Sequence, residues 1–506
     1  MILIFAFVFV YLLIRFRRAS SHLVSLQELQ AFEERQVARK AGTYKLLETS
    51  AYVEAFKDSP LSRDLDLIGE KSLFSQINET LTHEGELYLI ENILNGNTSH
   101  ADFSKKIKDL KKQYFKDKRH YIKLKAGGSL LLEPLLKWAK NQPPIHPASF
   151  LSVYVGYVLF LALLLTPYKN MGLLIYLTSY IISFSNFHSA YSKALELEAL
   201  LFSLKKHLRY LLKTDWISSK SFVSLRRVST WVSFLSVQAN PLVLVLLNLV
   251  FPWTAFFTHL LSRAQKSVAK EAPLLIQILK DWDYLFSIRS LYQYQTTTFA
   301  SMSETHQWQA KEIFHPLLSN PKANSFDLNS LALITGSNMS GKSTFLRTIG
   351  VNQVLANMGA PVFAASLTTW PATILSCIKV SDSIENGISY FYAEALRLKA
   401  VLSKANETPC LFLIDEIFRG TNNKERYIGA KSLILSLSKG PSIGIVTTHD
   451  LDLVDLETLT SRIKNYHFHD EVRGKELYFS FDLKEGPSKT TNALQILKNV
   501  GIPILE

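Results

Sequence analysis

Apolar and polar positions follow two different periodicities along the chain, and the change between them falls near residue 312. Before this point apolar residues recur at intervals of three and four, as at Leu23, Leu26 and Leu29, which is typical of amphipathic helices. After it, short apolar runs alternate with helical stretches, which indicates an α/β domain with a largely parallel sheet. The pattern therefore predicts a multidomain protein with helical N-terminal and middle regions and a C-terminal α/β domain.

Three uncharged stretches within the helical part predict contact with a membrane. Residues 1–14 carry no charge and precede Arg15, Arg17 and Arg18. This arrangement fits either the apolar region of a signal peptide or a membrane anchor, and charges that follow the apolar run favour the anchor. Residues 148–166 and 171–187 predict a transmembrane helical hairpin, with two buried helices of a soluble core as the alternative.

Residues 241–257 are also apolar, but Asn248 and Pro252 interrupt them. A further crossing here would place the C-terminal domain outside the cell, so this stretch is predicted to be a buried or membrane-surface helix. The chain is therefore predicted to be a multi-pass membrane protein whose C-terminal domain lies in the cytoplasm. Membrane lipids are an expected partner. The predicted domains are an anchor (1–18), a cytoplasmic helical domain (19–147), the transmembrane hairpin (148–187), a helical region (188–311) and the α/β domain (312–506).

Charge and cysteine content narrow the choice of partner and compartment. The 506 residues include 56 Lys and Arg against 43 Asp and Glu, a net charge of +13, which indicates an anionic partner such as nucleic acid or lipid headgroups. Ten basic residues lie between 105 and 125, where they form either a phosphate-binding stripe or a solvated helix face. Cys377 and Cys410 have no metal-ligand spacing, so both are predicted to be core thiols in a reducing compartment.

One segment carries the clearest chemistry. Residues 331–335 form an apolar run, residues 336–343 fit the pattern G-x-x-x-x-G-K-[ST], and a helical pattern follows at once. Such a loop points successive backbone N–H groups and a helix N-terminus at a phosphate, with the lysine on the β- and γ-phosphates and the final hydroxyl on Mg²⁺. The predicted ligands are ATP and Mg²⁺. The predicted nucleotide-binding residues are Gly336, Ser337, Asn338, Met339, Ser340, Gly341, Lys342, Ser343 and Thr344.

Two further strand ends carry polar residues suited to phosphoryl chemistry. The run 411–414 ends in Asp415 and Glu416, and the run 443–448 ends in His449. Ligands bind beyond the carboxyl ends of such strands. We therefore predict that Asp415 holds Mg²⁺ together with Ser343, and that Glu416 orients and deprotonates the attacking water. His449 is predicted to sense the γ-phosphate, although a lone histidine is more often structural.

These segments together resemble the ATPase domain of the MutS DNA mismatch repair family, which is a P-loop NTPase of the ABC type. The resemblance rests on 334–344, 413–421 and 447–450, and also on the pair His315-Pro316 and on 389–394. It covers 312–506, and 191–295 only loosely. The resemblance implies a dimeric site in which two ATPase domains enclose two nucleotides, with Ser389 as the signature residue that reaches the partner's nucleotide.

Departures from the family pattern limit what the resemblance implies. Ser337, Ser340 and Phe418 replace residues usual in the family, but none of them removes a catalytic group. The family's mismatch-reading domain has no counterpart before residue 191. We therefore expect a membrane-anchored ATPase that forms a homodimer and is coupled to duplex DNA. A nucleotide-gated membrane scaffold that binds protein or lipid without mismatch recognition is the alternative, and an ABC-type transporter subunit is less favoured because few membrane helices are predicted.

Overall fold

The chain forms two compact units, neither of which is a continuous stretch of sequence. The computed structural model describes residues 2–40, 51–96, 121–122, 124–125, 130–141, 147–213, 217–218, 220–237, 241–293, 297–337, 339–379, 390–418, 422–473 and 476–488. The first unit comprises Met1–Gln30, Thr80–Glu86 and Gln113–Tyr284, and the second comprises Ala31–Glu79, Leu87–Lys112 and Leu285–Glu506.

Helices dominate the N-terminal and middle regions, as the periodicity predicts. They are α1 (Ile2–Lys40), α2 (Ala51–Phe56), α3 (Pro60–Leu65), α4 (Leu73–Ile77), α5 (His83–Asn95), α6 (Glu133–Asn141), α7 (Pro147–Leu163), α8 (Lys169–Glu196), α9 (Glu198–Lys213), α10 (Val223–Ser236), α11 (Pro241–Val250) and α12 (Trp253–Arg289). A short 3-10 helix, Ser290–Gln293, follows α12.

The predicted hairpin is present as helices α7 and α8, which pack closely through small residues. A Cβ atom on Gly156 would lie 2.9 Å from Ser179 Oγ, and one on Gly172 would lie 3.1 Å from the Cα of Phe160. Close helix approach of this kind needs small residues at the contact. Phe187 completes the contact within a buried aromatic cluster.

The membrane-spanning role predicted for this hairpin stays a prediction. Within the described residues, no single helix is both long enough and apolar enough to cross a bilayer. Helix α7 has 17 residues, which at about 1.5 Å per residue is somewhat short of a hydrocarbon core of roughly 30 Å. Helices α11 and α12 meet at 83° across a short break and satisfy length and hydropathy only as a pair.

The C-terminal α/β domain is built on a mixed six-stranded sheet. Its strands run in the order β12 (Glu476–Glu485), β11 (Ile463–Arg473), β5 (Leu331–Thr335), β10 (Ile443–Thr448), β9 (Cys410–Asp415) and β8 (Thr373–Cys377). Neighbouring strands from β11 to β8 pair in parallel, and β12 pairs antiparallel with β11. The predicted strands at 331–335, 411–414 and 443–448 are confirmed.

Smaller sheets and helices complete this domain. The strands β2 (Ser301–Met302), β7 (Ser366–Thr369), β3 (Trp308–Ile313) and β4 (Asn324–Leu328) form one sheet, and β1 (Thr298–Phe299) pairs with β6 (Pro361–Val362). The helices are α13 (Lys342–Asn357), α14 (Tyr390–Glu407), α15 (Asn423–Lys439) and α16 (Leu456–Leu459), with a 3-10 helix at Leu451–Asp455. Helices α14 and α15 pack on one face of the sheet. The hydrophobic core between these helices and the sheet includes Phe412, Ile434 and Val446.

Parallel register aligns the ends of the three central strands. Thr335 at the end of β5 lies opposite Thr448 of β10, and Thr447 lies opposite Asp415 of β9. The strands approach very closely at Gly444, where a Cβ atom would lie 2.3 Å from the carbonyl oxygen of Phe412. The polar residues that follow each strand are therefore delivered to one edge of the sheet.

Candidate nucleotide-binding site

The loop between β5 and α13 makes a tight turn that needs unusual backbone angles. Gly336 has φ +151°, Met339 has φ +73° and Gly341 has φ +105°. Only glycine adopts such angles without strain, so the two glycines place the turn and Met339 carries some strain. Gly341 is the residue immediately before the first turn of α13, whose N-terminus faces the loop. A glycine-rich loop that leads into a helix N-terminus in this way can direct backbone N–H groups at an anion.

Lys342 lies folded within this loop. Its Nζ atom donates hydrogen bonds of 2.8 Å to the carbonyl oxygens of Gly336 and Ser337, and it lies 4.0 Å from Glu416 Oε1. The side chain is 4% exposed. The loop therefore holds a buried ammonium group through its own carbonyl oxygens.

Asp415 collects hydroxyl groups from two other elements. Ser343 Oγ, at the start of α13, donates to Asp415 Oδ2 at 2.7 Å, and Thr447 Oγ1 of β10 donates to Asp415 Oδ1. The carboxylate is largely buried. Carboxylate and hydroxyl oxygens are the ligands that Mg²⁺ takes in nucleotide sites. The direct contact between Ser343 and Asp415 therefore fits a magnesium ion shared by these two residues.

Glu416 and His449 adjoin this pair. Glu416 has φ +48°, a backbone angle that residues other than glycine rarely adopt. Its N–H group donates a hydrogen bond of 3.1 Å to the carbonyl oxygen of Thr447. Strained backbone of this kind is concentrated at functional sites. Glu416 Oε2 lies 3.7 Å from Nδ1 of His449, whose side chain is 42% exposed. The acid and the histidine thus face each other beyond the ends of β9 and β10.

A cleft of about 420 Å³ opens beside the loop. Its wall includes Lys342, Ser343 and Glu416 on one side and the ring of Phe481 on another. A volume of this size lies within the usual range for small-molecule sites, roughly 300–1,000 Å³. The cleft therefore has room for a small ligand whose anionic end lies on the loop.

His315 lies in the wall of the same cleft. Its Nδ1 atom accepts a hydrogen bond of 3.2 Å from the N–H of Leu317, which places the ring proton on Nε2. Burial, aided by the nearby positive charge of Arg347, lowers the pKa of His315 to about 4. His315 is therefore a neutral wall residue at physiological pH.

The structure brings together five of the predicted site residues: Lys342, Ser343, Asp415, Glu416 and His449. Gly336, Ser337, Ser340 and Gly341 belong to the loop, and Met339 and Thr344 are exposed residues that line the cleft. Asn338 and Ser389 lie outside the described residues. Their predicted roles, phosphate contact for Asn338 and a contact in the opposite subunit for Ser389, stay predictions.

The sequence predicts no role for two polar groups at the site, Thr447 and Glu394, while Ser340 is one of the predicted loop residues. Thr447, at the end of β10, links Asp415 and Glu416. Glu394 is buried and its Oε1 atom accepts a hydrogen bond of 2.7 Å from the N–H of Phe418. Ser340 Oγ is buried and has no hydrogen-bond partner among the described residues. A hydroxyl left in this state within a glycine-rich loop fits an anionic ligand that would accept its hydrogen bond.

Comparison with known proteins agrees with this geometry. Residues 332–505 match the family model of MutS domain V. A DNA mismatch repair protein MutS from Aquifex pyrophilus is 33% identical over 176 residues, which is 34% of this chain and 20% of the relative. MutS proteins from Methanosarcina barkeri (30% over 203 residues, 37% of this chain and 22% of the relative) and Roseiflexus castenholzii (31% over 182 residues, 35% and 16%) are also similar. This chain thus spans about a fifth of the length of these relatives.

Proposed function

We propose that this chain, in which residues 332–505 match MutS domain V, binds ATP and hydrolyses it with Mg²⁺. The observation that carries the proposal is the convergence of three elements on one edge of the sheet. Lys342 and Ser343 arrive from the loop after β5, Asp415 and Glu416 from the end of β9, and His449 from the end of β10.

Each residue has a role that its position supports. Lys342 would move from the loop carbonyls to the β- and γ-phosphates, and Ser343 and Asp415 would hold Mg²⁺. The ion supplies positive charge that offsets the negative charge on the phosphate oxygens. Glu416 would orient a water molecule and take its proton as the water oxygen bonds to the γ-phosphorus and the bond to the β–γ bridging oxygen breaks. His449, 3.7 Å from Glu416, would orient that carboxylate or contact the γ-phosphate.

The roles of Lys342 and Glu416 separate in a hydrolysis assay. We expect Glu416→Gln to keep ATP binding and to lose turnover, because the amide cannot take a proton from water. Lys342→Ala is expected to lose both activities, because it removes the cation on the phosphates. Equal turnover by the wild type and Glu416→Gln would contradict the assignment.

We further propose that two copies of the ATPase domain act as a dimer and that ATP hydrolysis by this dimer is coupled to the binding of duplex DNA. The similarity to DNA mismatch repair proteins and the net charge of +13 support this part. A DNA-coupled ATPase should turn over faster with duplex, and its DNA affinity should fall steeply with salt as bound counterions are released. If neither homoduplex nor mismatched DNA changes the rate of ATP turnover, coupling to DNA is contradicted and the scaffold alternative is favoured.

An exposed apolar surface on the first unit favours the second candidate, a nucleotide-gated scaffold at the membrane with its ATPase domain in the cytoplasm. Helix α11 is fixed beside the α7–α8 hairpin by hydrogen bonds from Tyr157 to the carbonyl of Val250 and from Tyr176 to that of Asn248. Large apolar side chains on these three helices are exposed: Leu151, Val155, Val158, Leu174, Ile181, Ile182, Leu242, Val245, Leu246 and Val250. Patches of this extent are unusual on soluble monomers and mark contact surfaces.

Vesicle flotation tests this candidate without reference to ATP. We expect the wild type to float with liposomes that contain anionic lipid and to remain bound in high salt, because burial of apolar surface is not screened. The variant Leu242→Glu/Leu246→Glu should bind less, since both side chains are exposed on one face of α11. Flotation that salt abolishes, or that the variant leaves unchanged, would contradict insertion of this surface.

A further inference from the structure

Helix α3 lies far from the nucleotide loop in sequence but contacts the elements that carry the site. Residues Asp64, Leu65 and Asp66 form the C-terminal end of this helix, within the same compact unit as the α/β domain. Asp66 ends the helix with φ +52°, an angle that turns its side chain away from the helix path. We refer to these three residues as the acidic clamp.

Asp64 holds the end of strand β8. Its carboxylate accepts hydrogen bonds from the backbone N–H groups of Ile378 (3.1 Å) and Lys379 (2.9 Å), and it pairs with the guanidinium group of Arg397. The Asp64 side chain is completely buried. A buried carboxylate is costly unless its charge is met by donors, so this site specifies one arrangement of the chain.

Arg397 extends this contact to helix α14. Its guanidinium group also donates to the carbonyl oxygens of Lys379 (2.7 Å) and Ser376 (3.0 Å). Helix α14 begins at Tyr390 and carries Glu394, which accepts the N–H of Phe418 two residues beyond Glu416. The end of β8 and helix α14 are therefore both attached to Asp64.

Asp66 attaches the same region to the helix of the nucleotide loop. Its carboxylate pairs with Arg347 on α13 at 3.1 Å and with Lys379 at 2.8 Å. Arg347 lies five residues after Lys342 on the same helix. Helix α13 and the exit of β8 are thus joined through a single carboxylate.

Leu65 fits between these two ion-pair groups. It is fully buried, and a Cβ atom on Gly350 would lie 2.6 Å from Leu65 Cδ2. Glycine on the buried face of α13 therefore permits α3 to approach the backbone of this helix. The acidic clamp therefore contacts three elements: the end of β8, helix α13 and helix α14.

We infer that Asp64 and Asp66 are positioning residues for ATP hydrolysis, which fix the end of strand β8 and helix α14 relative to helix α13, the helix that follows the nucleotide loop. The inference rests on the proposed ATPase function. Neither carboxylate lines the cleft, so neither is expected to contact the nucleotide. Their effect passes through Arg397 to helix α14, through Lys379 to the end of β8, and through Arg347 to helix α13.

The test compares kcat and KM for Asp66→Asn, with Asp58→Asn as the matched control. Asp58 lies near the start of α3 and pairs with Arg63, but its side chain is 69% exposed. We expect Asp66→Asn to lower kcat about tenfold and to change KM less than about threefold, since a charge-assisted hydrogen bond corresponds to roughly that factor in rate. Asp66→Glu should recover part of kcat, and Asp58→Asn should match the wild type.

A double-mutant cycle with Lys379→Met separates the clamp from a general loss of stability. If Asp66 acts through Lys379, the double variant should be no slower than the slower single variant, because the same contact is already lost. Multiplicative losses in kcat would overturn the proposed route. Asp66→Asn with the kcat of the wild type would overturn the role of Asp66.

Hydrogen exchange provides a readout that does not depend on turnover. Asp64→Asn removes an acceptor charge from the N–H groups of Ile378 and Lys379, so their exchange should accelerate at least about tenfold while exchange in β10 stays unchanged. If the wild type does not hydrolyse ATP, the proposed function fails but this physical link is still tested. Unchanged exchange at 378–379 would overturn the clamp itself, and equal acceleration across β10 would show general unfolding instead.

Discussion

The hydroxyl group of Thr447 offers a direct test of how the site is held together. Thr447 is fully buried, and its Oγ1 atom donates to Asp415 Oδ1, while its carbonyl oxygen accepts the N–H of Glu416. Thr447→Val has nearly the same shape but no hydroxyl. It should therefore keep the packing and the backbone bond, and leave one oxygen of the largely buried Asp415 without its donor.

The size of the effect follows from the charge on the acceptor. A hydrogen bond to a charged group contributes about 1.5–3 kcal/mol, which corresponds to a change of roughly 10- to 150-fold in an opening equilibrium. Asp415 keeps the 2.7 Å bond from Ser343 in the variant. We expect local opening at the ends of β9 and β10 to become more frequent by this factor.

Hydrogen exchange of the backbone amides in β9 and β10 measures this opening. Protection in these strands should fall by roughly 10- to 150-fold in Thr447→Val. In Thr447→Ser the fall should be less than about tenfold, because the hydroxyl remains and only a methyl group is lost. Equal protection in the wild type and Thr447→Val would refute the reasoning, because the carboxylate would then not depend on this donor.

Two further predictions concern buried titratable groups. Burial raises the pKa of Cys377 to about 12 and also raises the pKa of Cys410, so neither thiol should react with iodoacetamide at pH 8 until urea unfolds the domain; rapid labelling of the native protein would contradict their burial. Because the pKa of His315 is lowered to about 4, the folded state binds fewer protons than the unfolded state below pH 6.5, and stability should fall as the pH drops from 6.5 towards 4, by at most roughly 3 kcal/mol. His315→Asn, which keeps an acceptor for the N–H of Leu317, should show a shallower pH dependence in urea unfolding, and an unchanged slope would contradict the assignment to His315.

Local sequence signals were enough to predict the centre of the site. The strands β5, β9 and β10 are continuous apolar runs buried on both faces, and each ends at a polar residue. Parallel pairing then places those ends together, so Lys342, Asp415 and His449 could be expected at one edge before any coordinates were known. Neither cysteine is paired in a disulfide, and both are buried, as their sequence context predicts.

The acidic clamp could not be predicted in this way. Asp66 and Arg347 are 281 positions apart, and Asp64 and Arg397 are 333 positions apart. No periodicity or motif relates residues at such separations, and a short helix that carries two carboxylates usually indicates a solvated surface. The positive φ of Glu416 could not be predicted from the sequence either, because residues other than glycine rarely adopt that backbone conformation.

Hydropathy alone did not fix where the helices of the predicted hairpin begin and end. The uncharged run 148–166 continues past Leu163, where α7 ends, and Thr166 instead takes part in the turn before α8 by accepting the N–H of Tyr168. Residues 241–257 are predicted to be buried or at a membrane surface; α11 exposes four of its large apolar side chains by more than 60%, which argues against the buried alternative and leaves the membrane-surface alternative as a prediction. Composition reports how apolar a segment is, but it does not report where the backbone turns.

Equilibrium binding of ATP tests the central claim most directly, namely that the loop, the acidic pair and the histidine serve one nucleotide. The measurement is calorimetric titration of the Glu416→Gln protein with ATP and Mg²⁺, repeated after Lys342→Ala is added. We expect one saturable site per chain in Glu416→Gln, weakened at least about 30-fold by the second change, because loss of one partner of a buried charged pair costs roughly 2–5 kcal/mol. Equal affinity with and without Lys342 would contradict the account.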